Sequence, residues 1–148
     1  MKLLIVDILD EIFRFADKPQ FVLYFKKLMS RQTIRVLYKD VSFDKQAEKG
    51  NLQTIKYLHL IGAKCTTDAM DLASKYEFLE VIKYLHETVG VKCSTHGIIM
   101  ASRCGHLEIV KYLHKNVGAN CTTDLMHYAS GHPEVAKYIR ENIIKNWI

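Results

Sequence analysis

The chain has 148 residues, of which 49% are hydrophobic and 25% charged. That length suits one compact domain or one short repeat array, and the composition excludes a disordered chain. The net charge of +5 divides as 10 − 7 = +3 over residues 1–50 and 11 − 9 = +2 over residues 51–148, so no segment reads as a basic nucleic-acid arm.

Met1 to Val6 opens like a secretory leader, but Asp7 and Asp10 interrupt it and no small-residue cleavage site follows. No apolar run reaches the ~18 residues that cross a bilayer. The expected location is the cytoplasm, with the nucleus as the other option, and no membrane partner is expected. Ile5, Ile8, Leu9, Ile12, Phe13 and Ala16 form a helical stripe that Asp17 to Pro19 ends. Phe21 to Met29 predicts a second helix, and Ser30 can cap a third toward Tyr38.

Residues 1–41 carry two readings. Gln32-Thr33-Ile34-Arg35-Val36-Leu37 echoes Gln53-Thr54-Ile55-Lys56-Tyr57-Leu58, as a decayed terminal unit would. On this reading the segment is an N-terminal helical cap. In the other, Asp7-Ile8-Leu9-Asp10-Glu11-Ile12-Phe13-Arg14-Phe15 resembles the first helix of an F-box, although Leu4-Ile5 stands where that family prefers Leu-Pro. That resemblance implies that Ile8, Leu9, Ile12 and Phe13 face the adaptor of a cullin-type ubiquitin ligase.

From residue 42 onward the sequence repeats. Lys56-Tyr57-Leu58, Lys83-Tyr84-Leu85, Lys111-Tyr112-Leu113 and Lys137-Tyr138-Ile139 are spaced by 27, 28 and 26 residues. His59, His86 and His114 follow the first three copies, and Gly50, Glu77, Gly105 and Gly131 precede the four lysines by six residues. Gly62, Gly90 and Gly118 follow at a fixed interval, each leading into a Cys-Thr or Cys-Ser step. The predicted units are about 42–67, 68–95, 96–123 and 124–148.

Each unit reads as two helices. In the third, Ile98 to Ala101 is the apolar part of the first helix, and Gly105-His106 turns the chain. Leu107, Ile109, Val110, Tyr112 and Leu113 then stripe the second helix. Glu80 with Lys83 and Glu108 with Lys111 are outward i,i+3 pairs. Gly118 suits a left-handed helix end, while Thr122, Thr123 or Asp124 can cap the next helix. A unit with one apolar face buries it only by stacking, and Ala73, Ala101 and Ala129 mark where helices approach closely.

Gly105-His106-Leu107-Glu108-Ile109-Val110-Lys111-Tyr112-Leu113 resembles the second-helix signature of ankyrin repeats. Gly118-Ala119-Asn120 is similar to the loop that follows it, and Thr123 to Ala129 resembles a degraded Thr-Pro-Leu-His opening. The resemblance covers about residues 42–145 and implies an all-α helical repeat solenoid. The family's repeat is ~33 residues long. These units are shorter between the loop glycine and the next helix, so the hairpin fingers should be truncated or absent. Short units with this wording are similar to ankyrin proteins of giant DNA viruses of amoebae.

The seven His and four Cys raise a metal hypothesis. Stacked helices lie ~8–10 Å apart, whereas zinc ligands sit ~2.0–2.3 Å from the ion. His59, His86 and His114 therefore cannot share an ion, and neither can Cys65, Cys93 and Cys121. No phosphate loop or nucleophile-base motif occurs, so neither catalysis nor a cofactor is expected.

The resemblance implies a concave face lined by first helices and loops. Carried onto this chain, it presents Lys64, Thr66 and Asp68 from one loop and Lys92, Ser94 and His96 from the next. Asn120, Thr122 and Asp124 belong to the third loop, while Lys75, Tyr76 and Arg103 follow the small residues of the first helices. These positions vary between units while the packing positions do not, as a recognition surface requires. The expected function is protein binding as a scaffold or adaptor, with a substrate receptor for ubiquitin ligation as the alternative. The apolar end at Ile143, Ile144, Trp147 and Ile148 leaves monomer and weak homo-oligomer both open.

Overall fold

The computed structural model describes residues 41–60, 62–118 and 124–144. The cap and F-box-like readings of the N-terminal segment, with Ile8, Leu9, Ile12 and Phe13, lie outside the described residues.

Helices α1 (Phe43–Glu48) and α2 (Leu52–Leu60) form the first described pair. The second pairs α3 (Thr67–Lys75) with α4 (Leu79–Tyr84), which widens into a π turn at Leu85–Val89. The third pairs α5 (Thr95–Cys104) with α6 (Leu107–Tyr112) and a π turn at Leu113–Val117. The last pairs α7 (Leu125–Tyr128) with α8 (Pro133–Asn142). No strand occurs among the described residues, so the short loops hold no β-hairpin finger there.

First helices stack on first helices, in the order α1, α3, α5 and α7, and second helices on second helices. The first helices pack more closely. Their facing residues explain why: Ala47, Ala69, Ala73, Ala101 and Ala129 are all fully buried, and none has a side chain longer than a methyl group. Ser74 and Ser102 are buried beside them, and each hydroxyl donates to a carbonyl one turn back, Met70 O at 2.7 Å and Ile98 O at 2.8 Å. That internal bond lets a polar residue occupy an apolar seam at little cost. Between the two rows runs one continuous core that includes Ile55, Leu58, Met70, Ile82, Leu85, Ile98, Ile109, Leu113, Leu125 and Ile139.

The first three second helices close on a left-handed glycine, Gly62 at φ 76°, Gly90 at 77° and Gly118 at 65°, whereas α8 ends at Ile143 with φ −102°. The turn between the helices of the first three pairs also takes a left-handed residue. Gly50 and Gly105 supply it at φ 68° and 82°, but the second unit has Glu77 at φ 68°. A side chain there costs about 1–2 kcal/mol through the clash of Cβ with the following carbonyl. His106 Nδ1 lies 3.5 Å from Glu77 Oε2, a contact that offsets this strain only when the imidazole is protonated, because its Nε2–H is committed to Lys75 O. Glu77→Gly is therefore expected to raise stability by about 0.5–1 kcal/mol in urea denaturation. A loss of stability would show that the His106 contact outweighs the strain.

At the C-terminal end Ile143 is 4% exposed and belongs to the core. It is therefore unavailable to the homo-oligomeric contact considered from sequence. Ile144 is half-buried, and Trp147 and Ile148 lie outside the described residues.

Candidate partner-binding face

Two polar systems fix how one unit sits on the next. The first lies at the N-termini of the first helices. Thr66 caps α3, its Oγ1 accepting from Asp68 N–H at 3.2 Å, and Ser94 caps α5, its Oγ accepting from His96 N–H at 3.0 Å. Each capping hydroxyl donates backward to the preceding unit. Thr66 reaches Asp44 Oδ1 at 2.9 Å, and Ser94 reaches Asp71 Oδ2 at 2.7 Å. One hydroxyl thus starts its own helix and ties it to the helix before.

Asp71 is 9% exposed and is held by the Ser94 hydroxyl and the Gly97 backbone N–H. Gly97 is small for this reason: a Cβ there would sit 2.9 Å from Asp71 Oδ1 and 3.0 Å from Cys93 Sγ. Burial pushes the Asp71 carboxyl above its ordinary range, more than the Ser94 bond and His96 draw it down. An acid with a raised folded pKa holds more protons folded than unfolded. Its contribution is therefore largest at low pH and declines as pH rises through the unfolded and then the folded value. Asp71→Asn keeps an acceptor for Ser94 and Gly97 without the charge. It should flatten that segment of the stability–pH curve above about pH 4, as followed by urea midpoints. An unchanged slope would sink this reading.

The second system joins the second helices. His59 Nδ1 meets Tyr84 OH at 3.0 Å, His86 Nδ1 meets Tyr112 OH at 3.2 Å, and His114 Nδ1 meets Tyr138 OH at 3.2 Å. The ring pairs are edge-on, with centroids 6.0, 6.0 and 6.1 Å apart. Tyr112 donates its own proton to Glu87 Oε1 at 2.8 Å, so His86 must be the Nδ1–H donor to it. Burial, helped by Glu87, pushes the Tyr112 phenol up to about 12. Tyr112→Phe removes this bridge while keeping the ring, and about 0.5–1.5 kcal/mol of stability should go with it. Chemical denaturation measures it, and a neutral result would reduce the ladder to ring packing.

Beside the turns, His106 Nε2–H donates to Lys75 O at 2.9 Å and His132 Nε2–H to Arg103 O at 3.0 Å. Histidine at this turn therefore closes the carbonyl end of the preceding first helix. Among the described residues no set of three His, Cys or acidic side chains converges as a metal site. None of the described helices is long and apolar enough to cross a membrane.

With the framework assigned, the remaining surface of the first helices can be read. Lys64, Asp68, Lys75, Lys92, His96, Arg103 and Asp124 are exposed. Thr66 is exposed as well, but it and half-buried Ser94 carry the caps just described, so each already has a structural role. Asn120 and Thr122 lie outside the described residues. Asp124 precedes α7 without a side-chain capping bond, unlike Thr66 and Ser94. Tyr76 is 41% exposed, and its hydroxyl donates to Glu48 Oε1 at 3.3 Å. Lys75 lies over the Tyr76 ring, 4.8 Å from the centroid.

Sequence reasoning missed Leu72, Met100 and Tyr128. They hold equivalent positions on α3, α5 and α7. Leu72 and Met100 are half-buried yet outside the packed core, and Tyr128 is 39% exposed. The signal was their 28-residue spacing, hidden because the three residue types differ.

Helix pairs stacked first on first and second on second are the architecture of helical repeat proteins. A model described as ankyrin repeats in three copies fits residues 70–147, more than half the chain. The chain belongs to the ankyrin-repeat family. No curated protein and no solved structure matches it. Ankyrin repeats bind other proteins, so the chain is a protein–protein interaction module. Its surface divides accordingly: the repeated Lys-Tyr-Leu-His residues hold ankyrin units together, and the first-helix face carries what differs between units.

Proposed function

We propose that this chain is a non-catalytic adaptor that holds another protein against the face formed by α3, α5, α7 and the loops before them. One observation carries the reading. Positions that join the units repeat nearly without change, whereas exposed first-helix positions run Lys75 and Arg103, Tyr76 and Cys104, Asp68 and His96. Selection for packing alone would leave those positions free to be any solvated residue, and selection for one partner gives each a separate identity. A short array offers a short groove, and a standard interface of ~800 Å² per partner would use most of it. The proposed location is the cytoplasm, as a monomer or weak homo-oligomer.

A second reading follows from the F-box-like stretch Asp7 to Phe15. In it, the repeats hold a substrate while Ile8, Leu9, Ile12 and Phe13 contact the adaptor of a cullin-type ubiquitin ligase. Co-purification of the full chain from eukaryotic lysate separates the two. Recovery of a cullin adaptor that is lost on Ile12→Asp or Phe13→Asp supports the receptor. Recovery of a partner that survives those changes and is lost on Met100→Glu supports the plain adaptor.

A further inference from the structure

The acidic residues of the first-helix side are mostly used by the framework. Asp44 accepts from Thr66, Asp71 from Ser94 and Glu48 from Tyr76, while Glu77 sits against His106. Asp68 is the exception within a helix, and it lies in the first turn of α3, where the helix N-terminus offsets part of its charge. Asp124, before α7, is likewise exposed and makes no capping bond, and Glu48 and Glu77 are exposed as well despite their contacts. The basic residues of the same side are not used in this way. Among the described residues, Lys64, Lys92 and Arg103 are exposed and their side chains form no ion pair or hydrogen bond.

Placement follows from the helices. Lys64 and Lys92 stand in the loops before α3 and α5, and Arg103 stands at the far end of α5. A helix of this size is about 15 Å long, so unpaired cations border both edges of the face. Between them runs the row Leu72, Met100 and Tyr128, apolar side chains outside the core on three successive helices. At the usual ~8–10 Å between packed helices, that row extends for about 20 Å across the array.

We infer that the partner segment seated here is an acidic one: a peptide stretch with Asp or Glu on its flanks and apolar side chains between them, laid along the Leu72–Met100–Tyr128 row. The charge complementarity is set by the framework itself. Hydroxyl bonds occupy carboxylate oxygens of Asp44, Glu48 and Asp71, while the side chains of Lys64, Lys92 and Arg103 are left without a partner among the described residues. The apolar row supplies the desolvated centre that a binding site needs, with the charges at its rim steering approach and excluding basic segments. This inference rests on the adaptor reading above and names the chemistry of its partner.

The test is selection of random phage-displayed peptides on the full chain, followed by fluorescence anisotropy with the enriched peptides. Enrichment of acidic peptides with apolar residues is expected, with roughly tenfold weaker binding to the folded Lys92→Glu/Arg103→Glu variant and a marked loss at high salt. Enrichment of neutral or basic peptides that still lose binding on Met100→Glu would overturn the acidic partner and leave the adaptor intact. Failure to select any peptide sensitive to Met100→Glu would overturn both. A parallel titration with single-stranded oligothymidine completes the comparison. Equal or tighter binding there, lost on the same charge reversal, would make the face a nucleic-acid surface and overturn the inference.

Discussion

Replacing Gly105 by valine is expected to destabilise the fold by about 3–4 kcal/mol. Two effects add. Gly105 has φ 82°, where a β-branched residue is strained by about 1–2 kcal/mol or more. Its missing side chain also makes room for His132, whose imidazole a Cβ would overlap at Nδ1, Cε1 and Cγ. That ring cannot simply swing away, because its Nε2–H is bonded to Arg103 O at 3.0 Å. Overpacking of this kind costs about 1–3 kcal/mol, against a typical stability of about 5–15 kcal/mol. The control is Gly118→Val, which shares the positive φ of 65° but has open space around the added Cβ. Urea denaturation of both variants isolates the His132 contact. Equal losses would mean that the unit-to-unit approach at this turn is looser than described.

The second large effect is at the core. Leu113 is fully buried where α6 meets the π turn, and Leu113→Ala should cost about 2–5 kcal/mol through lost transfer energy and the cavity left behind. Met100→Ala, also on the third pair of helices, should cost under about 1 kcal/mol, because Met100 is half-buried and outside the core cluster. The contrast separates residues that hold the stack from residues the stack displays. Similar losses at both positions would place Met100 in the core and remove it from the proposed face.

Much of this architecture was legible in the sequence because its anchors recur at nearly constant steps. Lys-Tyr-Leu, the loop glycines and the small alanines together gave helix pairing, turn positions and the shortened loops. The i,i+3 pairs Glu80–Lys83 and Glu108–Lys111 form as their spacing implies, each at 2.7 Å.

What escaped was the stacking register. The sequence shows that Tyr84 and His59 each repeat, but their separation of 25 positions does not say that they touch. That depends on how far one helix pair is displaced along the next, which is a property of packing. Asp71 escaped for a related reason. Its equivalents are Asp44 and then Ile99, so no repeated motif marked it, and its partner Ser94 is 23 residues away. Thr66 and Ser94 were read as surface for a partner. Their hydroxyls serve the framework instead, because a residue before a helix caps it whether or not a ligand is near. The π turns that end α4 and α6 had no sequence signal beyond the glycine that follows each.

The surface divides into a displayed first-helix face and a second-helix side committed to holding the array. The most direct test is the dissociation constant of a selected partner for two single variants of the full chain. Met100→Glu places a charge in the centre of the displayed face, and Lys111→Glu changes the exposed second-helix side. The expected result is a loss of roughly tenfold or more for Met100→Glu, with near-native affinity for Lys111→Glu. The reverse order, or equal losses in two folded variants, would contradict the assignment of the binding face.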